Sequence, residues 1–313
     1  MAEKIAAPLP LAMLPTPVEE ASRLSAELGV RVLVKRDDQT GLALGGNKAR
    51  KLAYLVADAL AKGCDTLVTA GGAQSNFARM TAAAAARHGL ACRLVLAGEP
   101  PPRASGNLIL DRLFGATIEF AGTGNWQKLE ARVQAVAGEL GLRAYPMPIG
   151  GATALGALAY AHAADELLAQ LPEPPDWIVV ADGSGGTHAG LLAGLPAAVR
   201  VLGVDVSRPP VPLAESVPRL AAAAARLGGR PEPAGEVLIA DHTGPSYASI
   251  TDECRAAVRL AARSEALVLD PVYSGKAMAG LIAAARSGRV SGTVVFWHTG
   301  GAVALFADDF AAF

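Results

Sequence analysis

RVLVKRDDQTGLALGGNKARK, Arg31 to Lys51, opens as a short β-branched strand, passes through the glycine-rich GLALGGNK, and enters a helical stretch that runs on to Ala61. Glycines between a strand and a helix start mark a cofactor entrance, because unpaired backbone NH groups converge there. The same order repeats outward from this stretch. TLVTAGG leads into QSNFARMTAAAAARHG, whose Ser and Asn cap a helix that stops at Gly89. ACRLVLAGE, ATIEFAG and WIVVADGSGG continue the pattern, and VRVLGVDVS and GTVVFWHTGG add two buried strands. Between those two lie an alanine-rich helical segment around Leu220 and a helix near Asp252 to Ser264. This alternation predicts an α/β fold of mostly parallel twisted sheets flanked by helices. LPEPPDW, Leu171 to Trp177, is too short for a domain linker and reads as a loop entering a strand. The alanine clusters Ala82 to Ala86 and Ala221 to Ala225 fit helix propensity alone, and no repeat of 20 to 50 residues indicates a solenoid.

A chain of 313 residues with 51% apolar composition and 34 glycines can bury one large core or two modest ones, and two lobes are expected. The net charge of -1, with both signs scattered, leaves no electrostatic footprint for nucleic acid, so a small-molecule partner is expected. Cys64, Cys92 and Cys254 are odd in number and widely spaced, which fits reduced thiols in the cytoplasm. The opening MAEKIAAPLPLAMLPTPVEE lacks an uninterrupted apolar run with a cleavage site, so secretion is not expected. The charge-free run Val290 to Ala307 contains His298 and the Gly300-Gly301 pair and reads as a strand and glycine turn, not a membrane span.

Three constellations carry chemistry. In GGNKARK, Lys48 and Lys51 lie three apart and face the same way on an incipient helix. Their mutual repulsion, together with burial, lowers an amine's pKa, as an imine-forming lysine requires, while the second lysine can hold a phosphate; a solvated basic turn is the equal alternative. GSGGT, Gly183, Ser184, Gly185, Gly186 and Thr187, follows an apolar strand and precedes a helix, the setting of a phosphate cup or of a bland tight turn. It matches neither the nucleoside-triphosphate loop nor the GxGxxG dinucleotide pattern. GGAQSN, Gly71 to Asn76, is a third strand end running into a helix; Ser75 and Asn76 read first as caps, and the same geometry makes a carboxylate site. Three anion-friendly strand ends together point to a ligand with both phosphate and carboxylate.

KRDDQTGLALGGNKARKL, GGAQSN, GSGGTHAG, LDPVYSGKAMAGL and HTGG occur in one order along the chain, from PTPVEEASRL near Pro15 to HTGGAVALF near Phe306. In these blocks the chain resembles the D-cysteine desulfhydrase and 1-aminocyclopropane-1-carboxylate deaminase family, pyridoxal-phosphate enzymes of the tryptophan-synthase β-type fold, fold type II. The resemblance implies pyridoxal 5'-phosphate as cofactor, Lys48 as the imine lysine, Lys51 as the phosphate partner and Gly183 to Thr187 as the phosphate cup. It further implies Asn76 at the cofactor's phenolic oxygen, Ser274 and Thr299 as cofactor contacts, Ser75 beside the substrate carboxylate, and Gln74 and Phe77 near the substrate. Tyr273 and Tyr247 match two active-site tyrosines.

Ser274 stands where the deaminase branch has Glu and the desulfhydrase branch a hydroxyl residue. A carboxylate there keeps the pyridine nitrogen protonated and strengthens the electron sink, so Ser274 favours the desulfhydrase side. Two departures leave the leaving group open among thiol, sulfonate, hydroxyl and a larger substituent: Phe77 stands where a His is usual, and SYAS around Tyr247 replaces a GYG pattern. The implied activity is α,β-elimination from a small β-substituted amino acid, D-cysteine foremost, releasing pyruvate, ammonia and sulfide. The carboxylate is held by Ser75, and Lys48 or a tyrosine-linked network takes the α-proton. Cysteate sulfo-lyase and cyclopropane deaminase chemistry are the alternatives within the class, and a non-catalytic phosphometabolite-binding protein is the alternative outside it. The five histidines show no close ligand pairing, so no metal is expected. The implied architecture is a large cofactor lobe, residues 1–51 plus 158–313, with a small lobe of residues 52–157 inserted, in a homodimer.

Overall fold

The computed structural model describes residues 5–307. In chain order the elements are β1 (Val18–Glu20), α1 (Ser22–Leu28), β2 (Arg31–Lys35), α2 (Lys48–Ala61), β3 (Thr66–Gly71), α3 (Asn76–Arg87), β4 (Ala91–Leu96) and α4 (Asn107–Leu113). There follow β5 (Thr117–Phe120), α5 (Trp126–Leu140), β6 (Ala144–Pro146), α6 (Ala154–Gln170), β7 (Trp177–Asp182), α7 (Gly186–Gly194) and β8 (Arg200–Asp205). The chain closes with α8 (Leu213–Leu227), β9 (Val237–Asp241), α9 (Asp252–Glu265), α10 (Ser274–Arg286) and β10 (Thr293–Trp297).

Two sheets result, a six-stranded one in the order β1-β2-β10-β7-β8-β9 and a four-stranded one in the order β5-β4-β3-β6. All pairings are parallel except β1 with β2. The large sheet joins the two ends of the described chain, since Val32 of β2 pairs with Val294 of β10. The small sheet is drawn wholly from residues 66–146. Because parallel strands are covered on both faces, they read as apolar runs: β3 is buried throughout, and β10 at every residue after Thr293. One face of the large sheet buries Val34, Val179 and Phe296 under α1, α9 and α10; the other buries Leu33, Ile178, Val180 and Trp297 under α6, α7 and α8. On the small sheet α2, α3 and α4 cover one side and α5 the other.

Helices α6 and α7 approach so closely that a Cβ on Gly190 would lie 2.1 Å from the Ala157 carbonyl oxygen. Only glycine permits that crossing, and it sets α7 with its N-terminus toward the cleft. The expected lobe boundaries at 51/52 and 157/158 both fall inside helices, α2 and α6, so each boundary is spanned by a continuous helix. All three cysteines are buried and none is in a disulfide. Among the described residues no helix is long and apolar enough to cross a membrane.

Candidate active site

The carboxyl ends of β3, β7 and β10 open into one cleft between the sheets, where ligands bind in open parallel folds. A cavity of about 540 Å³ there is lined by Lys48, Ser75, Asn76, Phe77, Gly183, Ser184, Gly185, Gly186, Thr187, Tyr247, Tyr273 and Thr299. These are twelve of the residues expected from the sequence, drawn from all five motif blocks and the Tyr247 loop.

Lys48 stands at the first position of α2, placed by the crossing of two glycine loops. Gly45 and Gly46 have φ of 74° and 131°, and a Cβ on Gly300 would lie 2.7 Å from Gly46 Cα. Asn47 fixes the crossing: its N–H donates to the Thr299 carbonyl at 2.9 Å, and its Nδ2 donates to Thr187 Oγ1 at 3.1 Å. Lys48 keeps part of its surface on the cavity, while the enclosing walls lower its pKa to about 8 by desolvation, against the pull of Asp182 and Asp270. The expected nucleophile is therefore an amine with a neutral fraction near pH 7.

Ser75 is both cap and site residue. Its Oγ accepts from the Ala78 N–H at 3.2 Å, and its side chain lines the cavity. Across the cleft the Tyr247 and Tyr273 hydroxyls are 2.6 Å apart, with rings edge to face. The Tyr247 ring reaches over the small-sheet loop, where a Cβ on Gly72 would touch it at 3.4 Å. Burial, and Tyr247 beside it, push the Tyr273 phenol well above its ordinary pKa, so it keeps its proton at neutral pH.

Three expected residues lie behind the wall instead of on it. Lys51 is fully buried beneath the GSGGT loop, its Nζ donating to the Gly150 carbonyl at 3.3 Å; a Cβ on Gly186 would lie 2.8 Å from that nitrogen. Burial and Lys48 together depress its pKa well below the ordinary lysine value. Ser274 is also fully buried. Its Oγ donates to Asp270 Oδ1 at 2.6 Å and accepts from the Asp270 N–H at 2.8 Å, because Asp270 gathers the turn that starts α10. Gln74 turns away, its Oε1 accepting from the Asn107 N–H and its Nε2 donating to the Ser105 carbonyl.

The cavity also contains residues the sequence reading passed over: Asp182, Trp126, Ile149, Ser207 and Arg208. Asp182 was legible, as the one charge closing the apolar strand WIVVAD immediately before glycines. Its Oδ2 pairs with His188 Nδ1 at 2.8 Å, and Gly203 leaves room for both.

Against known proteins, residues 9–300 match the family described as "Pyridoxal-phosphate dependent enzyme". The chain belongs to that family. Its relatives include the D-cysteine desulfhydrase of Klebsiella pneumoniae subsp. pneumoniae, 42% identical over 313 residues and covering 94% of this chain and 93% of that protein. The D-cysteine desulfhydrase of Salmonella typhi is 43% identical with the same coverage. Among solved structures, an ACC deaminase homologue superposes with a TM-score of 0.91 at 37% identity, covering 96% of this chain and 94% of that one. A fungal L-serine ammonia-lyase from Rhizomucor miehei, TM-score 0.68 at 21% identity with 93% and 94% coverage, shows the shared fold type II.

The pyridoxal-phosphate enzyme's own residues fit the cofactor. The α7 N-terminus and its glycine loop offer backbone N–H groups to an anion, and Lys51 lies directly beneath, where a Cβ at Gly186 would come within 2.8 Å of its Nζ, an amine whose charge a phosphate would restore. Lys48 would offer its amine to the aldehyde, and Asn76 a side-chain amide to the ring. Because that amine titrates near 8, uptake of pyridoxal phosphate by the cofactor-free protein accelerates about tenfold from pH 7 to pH 9 and then levels off. An ordinary lysine would give about a hundredfold rise with no plateau, and stopped-flow absorbance separates the two outcomes.

Proposed function

We propose that this enzyme eliminates the β-substituent of a small amino acid, with D-cysteine as the substrate and sulfide, pyruvate and ammonia as products. The observation that supports it most directly is the convergence, in one cavity, of an amine of pKa about 8 with a protonated tyrosine pair. The desulfhydrases at 42% and 43% identity supply the substrate class.

Ser75 Oγ accepts from the Ala78 N–H, and its own O–H donates to no group among the described residues, so it is available to the substrate carboxylate at the start of α3. The Gly183–Thr187 loop and Lys51 hold the cofactor phosphate, and Asn76 and Thr299 orient its ring. When bound, the cofactor takes up the electron pair released at the substrate's α-carbon. Lys48 Nζ accepts the α-proton, and Tyr273 Oη, kept protonated by burial and hydrogen-bonded to Tyr247, gives a proton to the departing sulfur. Phe77, 2% exposed, lays an apolar wall beside the site and favours a thiol over a charged sulfonate as leaving group. In this reading Ser274 acts through Asp270, leaving the cofactor's pyridine side without a facing carboxylate from that position, which suits a good leaving group better than a carbon–carbon bond.

We also take the large lobe as residues 1–51 plus 158–313 and the small lobe as 52–157, and the working form as a cytoplasmic homodimer. The test incubates the holoenzyme with D-cysteine, L-cysteine, cysteate, D-serine and the cyclopropane amino acid in turn, with sulfide, pyruvate and 2-oxobutyrate assayed. Sulfide and pyruvate in equal amounts from D-cysteine are expected. 2-Oxobutyrate from the cyclopropane without sulfide from cysteine would overturn the reading.

A further inference from the structure

We propose that Asn107, at the first position of α4, is a positioning residue that fixes which end of the Asn76 side-chain amide faces the cofactor. The inference rests on the reading of Asn76 as the donor to the cofactor's ring oxygen. Asn107 is fully buried and outside the cavity wall. Its Nδ2 donates to the Gln74 carbonyl oxygen at 2.7 Å and to Asn76 Oδ1 at 3.1 Å. Both amide hydrogens are therefore used, and both partners are oxygens with no hydrogen to give in return. The Gln74 backbone carbonyl can only accept, so turning the Asn107 amide over would set its own oxygen against it, and this contact fixes the Asn107 orientation independently of Asn76. The fold accepts a further penalty to keep it so, since Asn107 Oδ1 is left buried with no hydrogen-bond partner.

The orientation of Asn76 follows. With Oδ1 held by Asn107, Nδ2 is the free end, and among the described residues it has no acceptor. It points toward Gly301, where an added Cβ would lie 3.0 Å from that nitrogen, and Asn76 lines the cavity. An oxygen carrying negative charge calls for an N–H donor, and the opposite amide orientation would present a carbonyl and repel it. The clamp is built into the backbone as well. The Asn107 N–H donates to Gln74 Oε1 at 2.8 Å, and Gly106, at φ 54°, permits the approach, since a Cβ there would lie 2.3 Å from that oxygen. The segment before α4 thus locks the GGAQSN loop from behind, through Gln74 and Asn76 together.

The test compares the ratio of visible to near-ultraviolet absorbance of the bound cofactor, at one pH, in wild type, Asn76→Ala, Asn107→Asp and Asn107→Ala, with the thermal midpoint of each. Losing an N–H donor at the ring oxygen leaves a proton on that oxygen and favours the near-ultraviolet form. Asn76→Ala is expected to lower the ratio about tenfold, the effect of one hydrogen bond to a charged group. Asn107→Asp should lower it to within about twofold of that value, because a carboxylate facing Asn76 Oδ1 drives the Asn76 amide to turn. Asn107→Ala should fall between them and wild type. A wild-type ratio in Asn107→Asp overturns the positioning role whatever the midpoint does, and a wild-type ratio in Asn107→Ala does the same if the acidic variant does not fold. A wild-type ratio in Asn76→Ala instead removes the role of Asn76 on which the inference stands.

Discussion

Lys48→Ala is expected to lower turnover by about 10⁴-fold and to abolish the visible absorbance of the bound cofactor, because in the proposed mechanism one side chain serves as both the covalent attachment and the base. The protein should nonetheless fold as before. Among the described residues no hydrogen bond or ion pair holds Lys48 Nζ, and its pKa of about 8 records a charge that burial disfavours. Removing that amine takes away an unfavourable group, so the thermal midpoint of the cofactor-free variant should equal or exceed that of wild type. Lys51 then becomes a stronger base, since the Lys48 charge is one of the two causes that depress it. Enzyme assay, absorption spectrum and melting curve together check the prediction. Undiminished elimination in Lys48→Ala would remove the mechanism.

Arg50→Met is expected to destabilise the protein by about 3–5 kcal/mol, the consequence of leaving a buried charge without its partner. Arg50 shares α2 with Lys48 but faces the large lobe. Its guanidinium makes contacts of 2.8 to 3.1 Å to Asp37, Glu166 and Thr16. Asp37 is fully buried and also accepts from Tyr160 Oη at 2.6 Å and Trp297 Nε1 at 2.9 Å. Lys35 Nζ completes the network on Glu166 at 2.5 Å. Burial, the largest single influence, would raise the Asp37 pKa, but Arg50, together with the Tyr160 and Trp297 hydrogen bonds, holds the carboxyl below its ordinary value. A depressed carboxylate contributes stability above its unfolded pKa and loses it as pH falls through the folded one. In Arg50→Met the largest lowering influence is gone and burial is left against the Tyr160 and Trp297 hydrogen bonds alone, so Asp37 is expected to titrate higher than in wild type and its penalty to grow as pH rises. The loss should therefore be larger at about pH 7 than at about pH 4, where protonation of Asp37 relieves it. Urea denaturation of both proteins at the two pH values measures the difference.

The residues on the cavity wall that were readable in advance share a local signature. Lys48, Ser75, Asn76 and the Gly183–Thr187 loop all sit where an apolar run ends in glycines and a helix begins, a pattern visible over about ten residues. The Ser207-Arg208 pair reaches the same cavity from a loop without glycines, while Trp126 at the start of α5 and Ile149 before Gly150-Gly151 do not follow an apolar strand that ends in glycines, and the packing of the sheets brings all four there. Gln74 and Ser274 show the complementary limit. Their blocks were assigned to the site, but whether a side chain faces the cleft or the wall behind it depends on partners such as the Asn107 N–H and Asp270, which lie outside the motif or engage it at one angle only. Strands β1, β6 and β9 were not anticipated because they lie at sheet edges; β6 is three residues long and ends in Pro146, which an edge tolerates and a central strand does not. The helix across the 51/52 boundary is the one the sequence carries on to Ala61, whereas α6 across 157/158 follows no strand-and-glycine motif and is not legible in that way.

The pairing of β2 with β10 sets an order of events during synthesis. The small sheet, from Thr66 to Pro146, has all its strands once about half the chain has left the ribosome, and can condense around its own core. Strand β2 emerges earlier still, yet its parallel neighbour begins only at Thr293, so the centre of the large sheet cannot close until β10 has followed the whole small sheet out. The glycine crossing that seats Lys48 requires Thr299 and Gly300 from that same late segment. The setting of Lys48 is therefore assembled after the small sheet, and a nascent chain that has not yet exposed Thr299 and Gly300 carries no completed cleft.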